Sequence, residues 1–386
     1  MRRRRVCVVV TARASYSRIK TVLRAIQQHA DLDLQLVVAA SALLDRYGTA
    51  VHYIEADGFH VSARVHMVLE GGNPATMAKT TGIGLLELAT VFGNLGPDIV
   101  VTVADRFETM ATAIAASYMN IPVGHVQGGE VTGSIDEKVR HAVTKLADLH
   151  FVATERAAER VIRMGEDPAT VFVTGCPSID VAAAVLCQPT IDFDPFERYG
   201  GVGDQLDLSE GFMMVVQHPV TTEYELARQQ VTETLYAVRD VGLPVLWFWP
   251  NVDAGTDGTS NGIRAFREQE QPARFRFFKS MAPEDFLKLL YHALCLVGNS
   301  SVGIRECAFL GVPVVNVGSR QGGRDRGSNV IDVGYGRTAI AAAVRQHLEQ
   351  PRPPVGDPLY GDGRAGERIA ALLAEVPLRI EKRLAY

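Results

Sequence analysis

Four consecutive residues, Gly298-Asn299-Ser300-Ser301, join the apolar run Leu294-Cys295-Leu296-Val297 to a segment whose apolar spacing predicts a helix over 304–310. A strand that turns through small residues into a helix aims free backbone N–H groups and the positive dipole end at whatever lies above. Ser300 and Ser301 add hydroxyl donors, and Gly298 and Gly303 let an oxygen approach the backbone closely. That chemistry suits a diphosphate. Glu306, just past the first turn, is placed to accept both hydroxyls of a ribose. The loop Gly318-Ser319-Arg320-Gln321-Gly322-Gly323-Arg324 adds guanidiniums, which pair bidentately with phosphate. The plainer alternative is a capped helix with a surface Glu–Arg pair. Neither a Walker A motif nor G-x-G-x-x-G occurs, so a phosphate site here must be built differently.

A second set follows the apolar run at 6–10. Arg13 and Ser15 in Thr11-Ala12-Arg13-Ala14-Ser15-Tyr16-Ser17 are placed to face the same diphosphate, with Lys20 on the helix behind. An N-capped helix carrying a solvated arginine is the competing account. Acid–base chemistry needs titratable groups at the reacting centre. Asp105 follows the strand predicted over 99–103, and Asp136 and Glu137 open a predicted helix, where the dipole favours an ionised carboxylate. Glu130 lies in a glycine-rich loop, and Arg106 is a candidate phosphate or sugar contact. For Asp105 and Asp136 the alternative is helix capping. His125, inside a strand pattern, reads as a core histidine.

The elements that must hold these residues form two alternating series. Short apolar strands are predicted over 6–10, 34–39, 99–103, 123–127, 150–153 and 171–174, with helices over 17–28, 76–92, 109–119 and 136–147. After a Pro-, Gly- and Asp-rich stretch come strands over 212–217, 245–249, 275–278, 295–297 and 314–317, with helices over 224–241, 283–292 and 304–310. Continuous apolar strands between helices predict parallel sheets covered on both faces. The expected architecture is α/β, with two Rossmann-like domains facing a cleft. The first spans 1–188, a linker 189–210, the second 211–365, and a last helix and tail 366–386 could join either. Ligands of such sheets lie beyond the carboxyl ends of the strands.

The chain has 386 residues, a net charge of −5 and scattered basic residues, which argues against a nucleic-acid partner. The arginines at 2–5 precede an apolar run too short for a signal peptide, and no run approaches the roughly 18 residues of a membrane helix. Five cysteines without Cys-x-x-Cys spacing read as reduced core residues of a cytoplasmic protein with no membrane partner.

With these segments assembled, the chain resembles the UDP-N-acetylglucosamine 2-epimerase family, and more closely its hydrolysing branch, which releases N-acetylmannosamine and UDP at the start of sialic-acid synthesis. The resemblance rests on the segment from Gly128-Gly129-Glu130-Val131-Thr132 to Asp136-Glu137, with Arg140-His141 and Thr144-Lys145-Leu146 behind it. It continues through Gly175-Cys176-Pro177-Ser178, Gln217-His218-Pro219-Val220-Thr221-Thr222, Pro250-Asn251-Val252-Asp253-Ala254-Gly255 and Gly298-Asn299-Ser300-Ser301. It implies the glycosyltransferase-B fold, a closing cleft, no metal or nicotinamide cofactor, and a homodimer or homotetramer formed through the first domain. It also implies phosphate contacts at Arg13 and Ser15, and UDP-holding residues at Ser300, Ser301, Glu306 and Arg320, with Glu306 on the ribose. His218 would be a nucleotide-side contact, Asn251 a hinge-side contact, and Asp105 and Asp136 the carboxylates beside the sugar.

Three positions depart from the family pattern. Ala104 in Val103-Ala104-Asp105-Arg106 replaces a histidine, Gln127 replaces a carboxylate, and Ala42 stands where a sugar-side histidine is usual. The resemblance implies that all three lie on the sugar side. Gln127 can hydrogen-bond but not titrate, so proton transfer would fall to Asp105, Asp136, Glu130 or Glu137. The expected catalytic set is Asp105, Asp136, Glu130, Gln127 and His218. The expected reaction turns a UDP-linked 2-acetamido sugar, N-acetylglucosamine or a 2,4-diacetamido-trideoxy relative, into the free manno sugar and UDP through a glycal. Rival readings are a non-hydrolysing epimerase, a glycosyltransferase and a non-catalytic sensor.

Overall fold

A computed structural model describes residues 2–71, 73–132, 135–250 and 253–385. The first sheet comprises β1 (Arg4–Val10), β2 (Leu32–Ala39), β3 (Val61–Val65), β4 (Ile99–Val103), β5 (Val123–Val126), β6 (Leu149–Val152) and β7 (Val171–Val173), ordered β3-β2-β1-β4-β5-β6-β7. Every pairing in it is parallel. The second comprises β8 (Val202–Gly203), β9 (Met213–Val216), β10 (Val245–Phe248), β11 (Phe275–Phe278), β12 (Cys295–Gly298), β13 (Val314–Val317) and β14 (Val330–Val333), ordered β14-β13-β12-β9-β10-β11-β8. Only β8 in it runs antiparallel, on β11.

Central strands such as β4, Ile-Val-Val-Thr-Val, are buried throughout because helices cover both faces. Each such Val or Ile contributes roughly 1.5–3 kcal/mol by leaving water. The three strands that sequence periodicity does not reveal, β3, β8 and β14, are all sheet edges. Edge strands bury less, so Val-Ser-Ala-Arg-Val and Val-Ile-Asp-Val carry polar residues that break the apolar run. Chain order reverses between β1 and β4 and between β9 and β12, and these crevices are where side loops can receive a ligand.

The segment 189–210 does more than link. Asp194 caps the short helix Pro195–Tyr199, and β8 then covers the exposed edge of β11. Helix Pro177–Cys187 packs Ile179, Val181, Ala182 and Val185 into the core of the second sheet, while Asp180 accepts from Thr21 of the first domain at 2.9 Å. The last helix, Ala365–Glu375, belongs with the first half. Its Ile369, Ala370 and Leu373 join the core around β1, and its first N–H groups donate to Asp180 at 2.9 and 2.7 Å. Four of the five cysteines are buried and all are free thiols, with Cys187 exposed. No helix among the described residues is long and apolar enough to cross a membrane.

Candidate active site between the two sheets

Gly298 ends β12 at φ 132°, and a Cβ there would lie 2.2 Å from the Val216 carbonyl oxygen. Only glycine lets β12 press this closely on β9. Asn299 then ties the two strand ends together: its Oδ1 accepts from the His218 N–H and its Nδ2 donates to the His218 carbonyl, both at 2.8 Å. The helix expected over 304–310 starts later, at Glu306, and runs only to Leu310. Ser301–Gly303 instead forms a 3-10 turn capped by Ser300. So short a helix offers a weak dipole, and the anion-holding capacity rests on hydroxyls and guanidiniums.

Those guanidiniums converge from both domains. Arg18, on helix Arg13–Gln28, donates through Nη2 to Ser301 Oγ at 2.8 Å and holds Nη1 3.4 Å from Asp105. Arg305 donates to the same Ser301 oxygen at 2.8 Å. Arg320 lies 3.3 Å from the Asn299 carbonyl and 3.4 Å from Asp136. Arg13 donates to the Lys279 carbonyl at 2.7 Å, joining the two halves. Arg13, Arg18, Arg106, Arg320, Ser300, Ser301 and Glu306 line one cavity of about 950 Å³, counted to its mouth, whose other wall is Val216, Phe248, Met281, Phe286 and Leu287. A cationic floor beside an apolar wall suits a diphosphate joined to a flat base.

Two expected contacts fall elsewhere. Because the first helix begins at Arg13 rather than 17, positions 13, 14, 17 and 18 share the cavity face. Ser15 is buried with its hydroxyl 3.4 Å from Thr11, and Lys20 pairs with Asp57 at 2.8 Å and Glu284 at 2.5 Å. Neither lines the cavity. Asn251 lies outside the described residues.

Asp105 follows Ala104, which holds φ 62°, and is almost wholly buried. Burial alone would raise its pKa, but the guanidiniums of Arg140, Arg18 and Arg324 outweigh it and hold the carboxyl far below its usual range. Asp136 moves the other way: burial, then repulsion from Asp105, raise it against the pull of Arg320. Glu130 is held low despite burial by Arg324 at 3.3 Å and Arg305 at 3.2 Å. It does not line the cavity, and its carboxylate joins two arginines. Glu137 accepts from the Thr132 N–H at 2.5 Å and pairs with Arg140 at 3.3 Å and His141 at 2.8 Å, so it pins the loop before its own helix.

Gln127, at φ 69°, donates to the Cys176 sulfur at 2.7 Å and stands behind the cavity rather than on its wall. Left-handed backbone at a non-glycine residue costs on the order of 1–3 kcal/mol, and two such residues end β4 and β5 at the departures from the family pattern. His218 lines the cavity, and burial, followed by Arg320, Arg13, Arg106 and Arg18, drives its pKa well down, so it is neutral at pH 7. Arg106 is clamped by Glu108 at 3.0 Å and Asp253 at 3.3 Å, spanning the two domains. His125 is a core residue, its ring nitrogens 2.8 Å from the Ala104 carbonyl and 3.2 Å from Thr144 Oγ1. No group of three His, Cys, Asp or Glu suited to a metal occurs among the described residues.

Two Rossmann-like sheets whose chain reversals face each other across this cleft define the glycosyltransferase-B class. The fold is shared with UDP-GlcNAc 2-epimerase from Neisseria meningitidis bound to UDP-GlcNAc (TM-score 0.78, 17% identity, 96% of this chain and 99% of that one). It is also shared with the Methanocaldococcus jannaschii UDP-GlcNAc 2-epimerase in complex with UDP-GlcNAc and UDP (TM-score 0.77, 18% identity, 96% and 99%). In sequence the chain is 36% identical over 376 residues to a UDP-N,N'-diacetylbacillosamine 2-epimerase (hydrolyzing) of Legionella pneumophila, covering 97% of each. It is 30% identical over 372 residues to a UDP-N-acetylglucosamine 2-epimerase of Neisseria meningitidis serogroup B, covering 96% of this chain and 95% of the relative. The family model described as UDP-N-acetylglucosamine 2-epimerase matches residues 24–374. The chain belongs to the UDP-N-acetylglucosamine 2-epimerase family and is an enzyme of that type.

Proposed function

We propose that the protein is a hydrolysing 2-epimerase that converts a UDP-linked 2-acetamido sugar to the free manno sugar and UDP. The observation that carries this reading is Arg18, whose guanidinium touches both the Asp105 carboxylate and Ser301 of the phosphate turn. The group that receives the C2 proton and the seat of the departing diphosphate are thus within one side chain of each other. In this reading Ser300, Ser301, Arg13, Arg18 and Arg320 hold the diphosphate, Glu306 the ribose, and the Phe248–Met281 wall the base. Asp105 takes the proton from C2, the C2–H electrons form the C1–C2 double bond, and the C1–O bond breaks with its electrons on UDP. The guanidiniums offset that charge as it develops. Asp136, its pKa raised by burial and by Asp105, delivers a proton to the opposite face of C2. Water then adds at C1, its surplus proton restores Asp136, and Asp105 gives the C2 proton up to solvent as UDP departs. Two carboxyls pushed to opposite sides of their ordinary range divide the acid and base roles.

A 2,4-diacetamido-trideoxy sugar is the substrate favoured here. It is supported by the 36% identity to an enzyme named for such a sugar. Incubation with each UDP sugar in heavy water should release a free manno sugar carrying deuterium at C2. An unlabelled product sinks the elimination route, and a surviving nucleotide sugar scrambled at C2 identifies non-hydrolysing epimerisation. Gln127→Glu, which supplies the carboxylate usual in the family behind the cavity wall, should raise the relative rate on UDP-N-acetylglucosamine by about tenfold. An unchanged ratio between the two substrates would remove Gln127 as a selector.

A further inference from the structure

The loop from Gly318 to Gly327 leaves β13 of the second domain, yet its charged side chains reach the first. Arg320 meets Asp136, and Asp325 pairs with Arg156 and, at 3.2 Å, with Arg160. Between them Arg324 is buried, its Nη2 3.3 Å from Glu130 and 3.8 Å from Asp105, its Nε donating to the Val131 carbonyl at 3.2 Å. All three partners lie on the first domain. The cavity that suits the diphosphate is lined by Arg320 but not by Arg324, which sits behind Asp105. Its Nη1 is buried with no hydrogen-bond partner among the described residues. A buried donor left unused costs roughly 1–3 kcal/mol.

We propose that Arg324 is a positioning residue for the base: carried by the second domain to the back of Asp105, it fixes where that carboxylate sits. This rests on the reading of Asp105 as the C2 base. Asp105 is faced by Arg18 and Arg140 from its own domain, by Arg324 from the other, and by Asp136, Glu130, Asp253 and His125 at longer range. Arg18 is the cation that incoming phosphate draws away; Arg324 and Arg140 remain. Arg324 also donates to the Val131 carbonyl, next to Glu130 in the chain. Its burial is offset chiefly by Glu130, which leaves its own pKa pulled down to about 10, low for an arginine and still charged at neutral pH. The second domain therefore does two jobs. It brings Ser300 and Ser301 to the leaving group and a cation to the base.

The test uses Arg324→Gln and Arg324→Lys in the full chain, with UDP release and UDP binding measured on the same preparations. Arg324→Gln should lower kcat about 100-fold while UDP affinity stays within about threefold. Removing a cation raises a carboxylate pKa, so the acid limb of kcat should move up by roughly one pH unit. Arg324→Lys, which keeps the charge, should recover at least about tenfold of the lost rate. A loss confined to UDP affinity, or a wild-type kcat in Arg324→Gln, overturns the proposal. If the Gln variant does not fold, a displaced acid limb in the Lys variant overturns it instead. The Asp105 carboxyl, labelled with carbon-13 and assigned with Asp105→Asn, should also titrate higher in Arg324→Gln. That readout needs no turnover, so it separates failure of this inference from failure of the epimerase reading.

Discussion

Asp105→Asn should abolish turnover, lowering kcat on the order of 10²–10⁴-fold, while UDP binds at least as tightly as to the wild type. The two halves of this result have one origin. The carboxylate is surrounded by Arg18, Arg140 and Arg324, and Arg140 is wholly buried. The amide keeps the shape but can neither take a proton from C2 nor neutralise those cations. Breaking a buried ion pair on one side costs about 3–5 kcal/mol, so the unliganded variant should melt earlier. A diphosphate can then supply the missing negative charge through Arg18, which already reaches Ser301. UDP should consequently raise the melting temperature more in Asp105→Asn than in the wild type. The comparison belongs near neutral pH. A carboxyl held below its ordinary range contributes its full stabilisation above about pH 4 and loses it only as the pH falls through the folded value. A variant with the wild-type rate, or with weakened UDP binding, would show that Asp105 is not the base behind the phosphate site.

The central strands were legible because each is a short, continuous apolar run, and Ile99–Val103, Phe275–Phe278 and Val314–Val317 match the expected bounds. Three of the four edges were not, since β3, β8 and β14 lack that pattern. The turn at Gly298–Ser301 was legible as a turn for a local reason: strand, small residues and helix follow one another closely in the chain. Its geometry differs only where a 3-10 turn replaces the first helical turn. Lys20 and Ser15 were misplaced because starting the helix at 17 instead of Arg13 left its face unphased. With the start at 13, helical spacing puts 13, 14, 17 and 18 on one side, and Arg18 becomes visible as the partner of Ser301. Arg305 carries no comparable local signal, and Arg324 was legible as a loop cation for phosphate but lies off the cavity wall, against the first domain. Each earns its place from a carboxylate more than 170 residues away in sequence, Glu130, and only the packing of two domains brings them together. Pairings across a cleft have no period, and that is the part of the site the sequence withholds.

Glu306→Ala should weaken UDP binding by about 1.5–3 kcal/mol, on the order of 10–100-fold, and should at the same time stabilise the unliganded protein. Glu306 opens the helix Glu306–Leu310 on the cavity wall and is buried, yet its Oε2 has no hydrogen-bond partner among the described residues. The nearest cation is Arg305 Nε at 3.8 Å, too far for a hydrogen bond. A buried carboxylate with an unmet oxygen is unfavourable in the empty protein and rewarding to a ligand that brings hydroxyl donors. The vicinal hydroxyls of a ribose present two donors at the separation of two carboxylate oxygens. Alanine removes the liability and the reward together, so the melting temperature without ligand should rise as affinity falls. The decisive comparison is between UDP and its 2',3'-dideoxy analogue on both proteins. The wild type should discriminate strongly between them, whereas Glu306→Ala should bind the two almost equally, since the group that reads the hydroxyls is gone. If Glu306→Ala still preferred UDP as strongly as the wild type does, the ribose would lie elsewhere, and the base would have to leave the Phe248–Met281 wall with it.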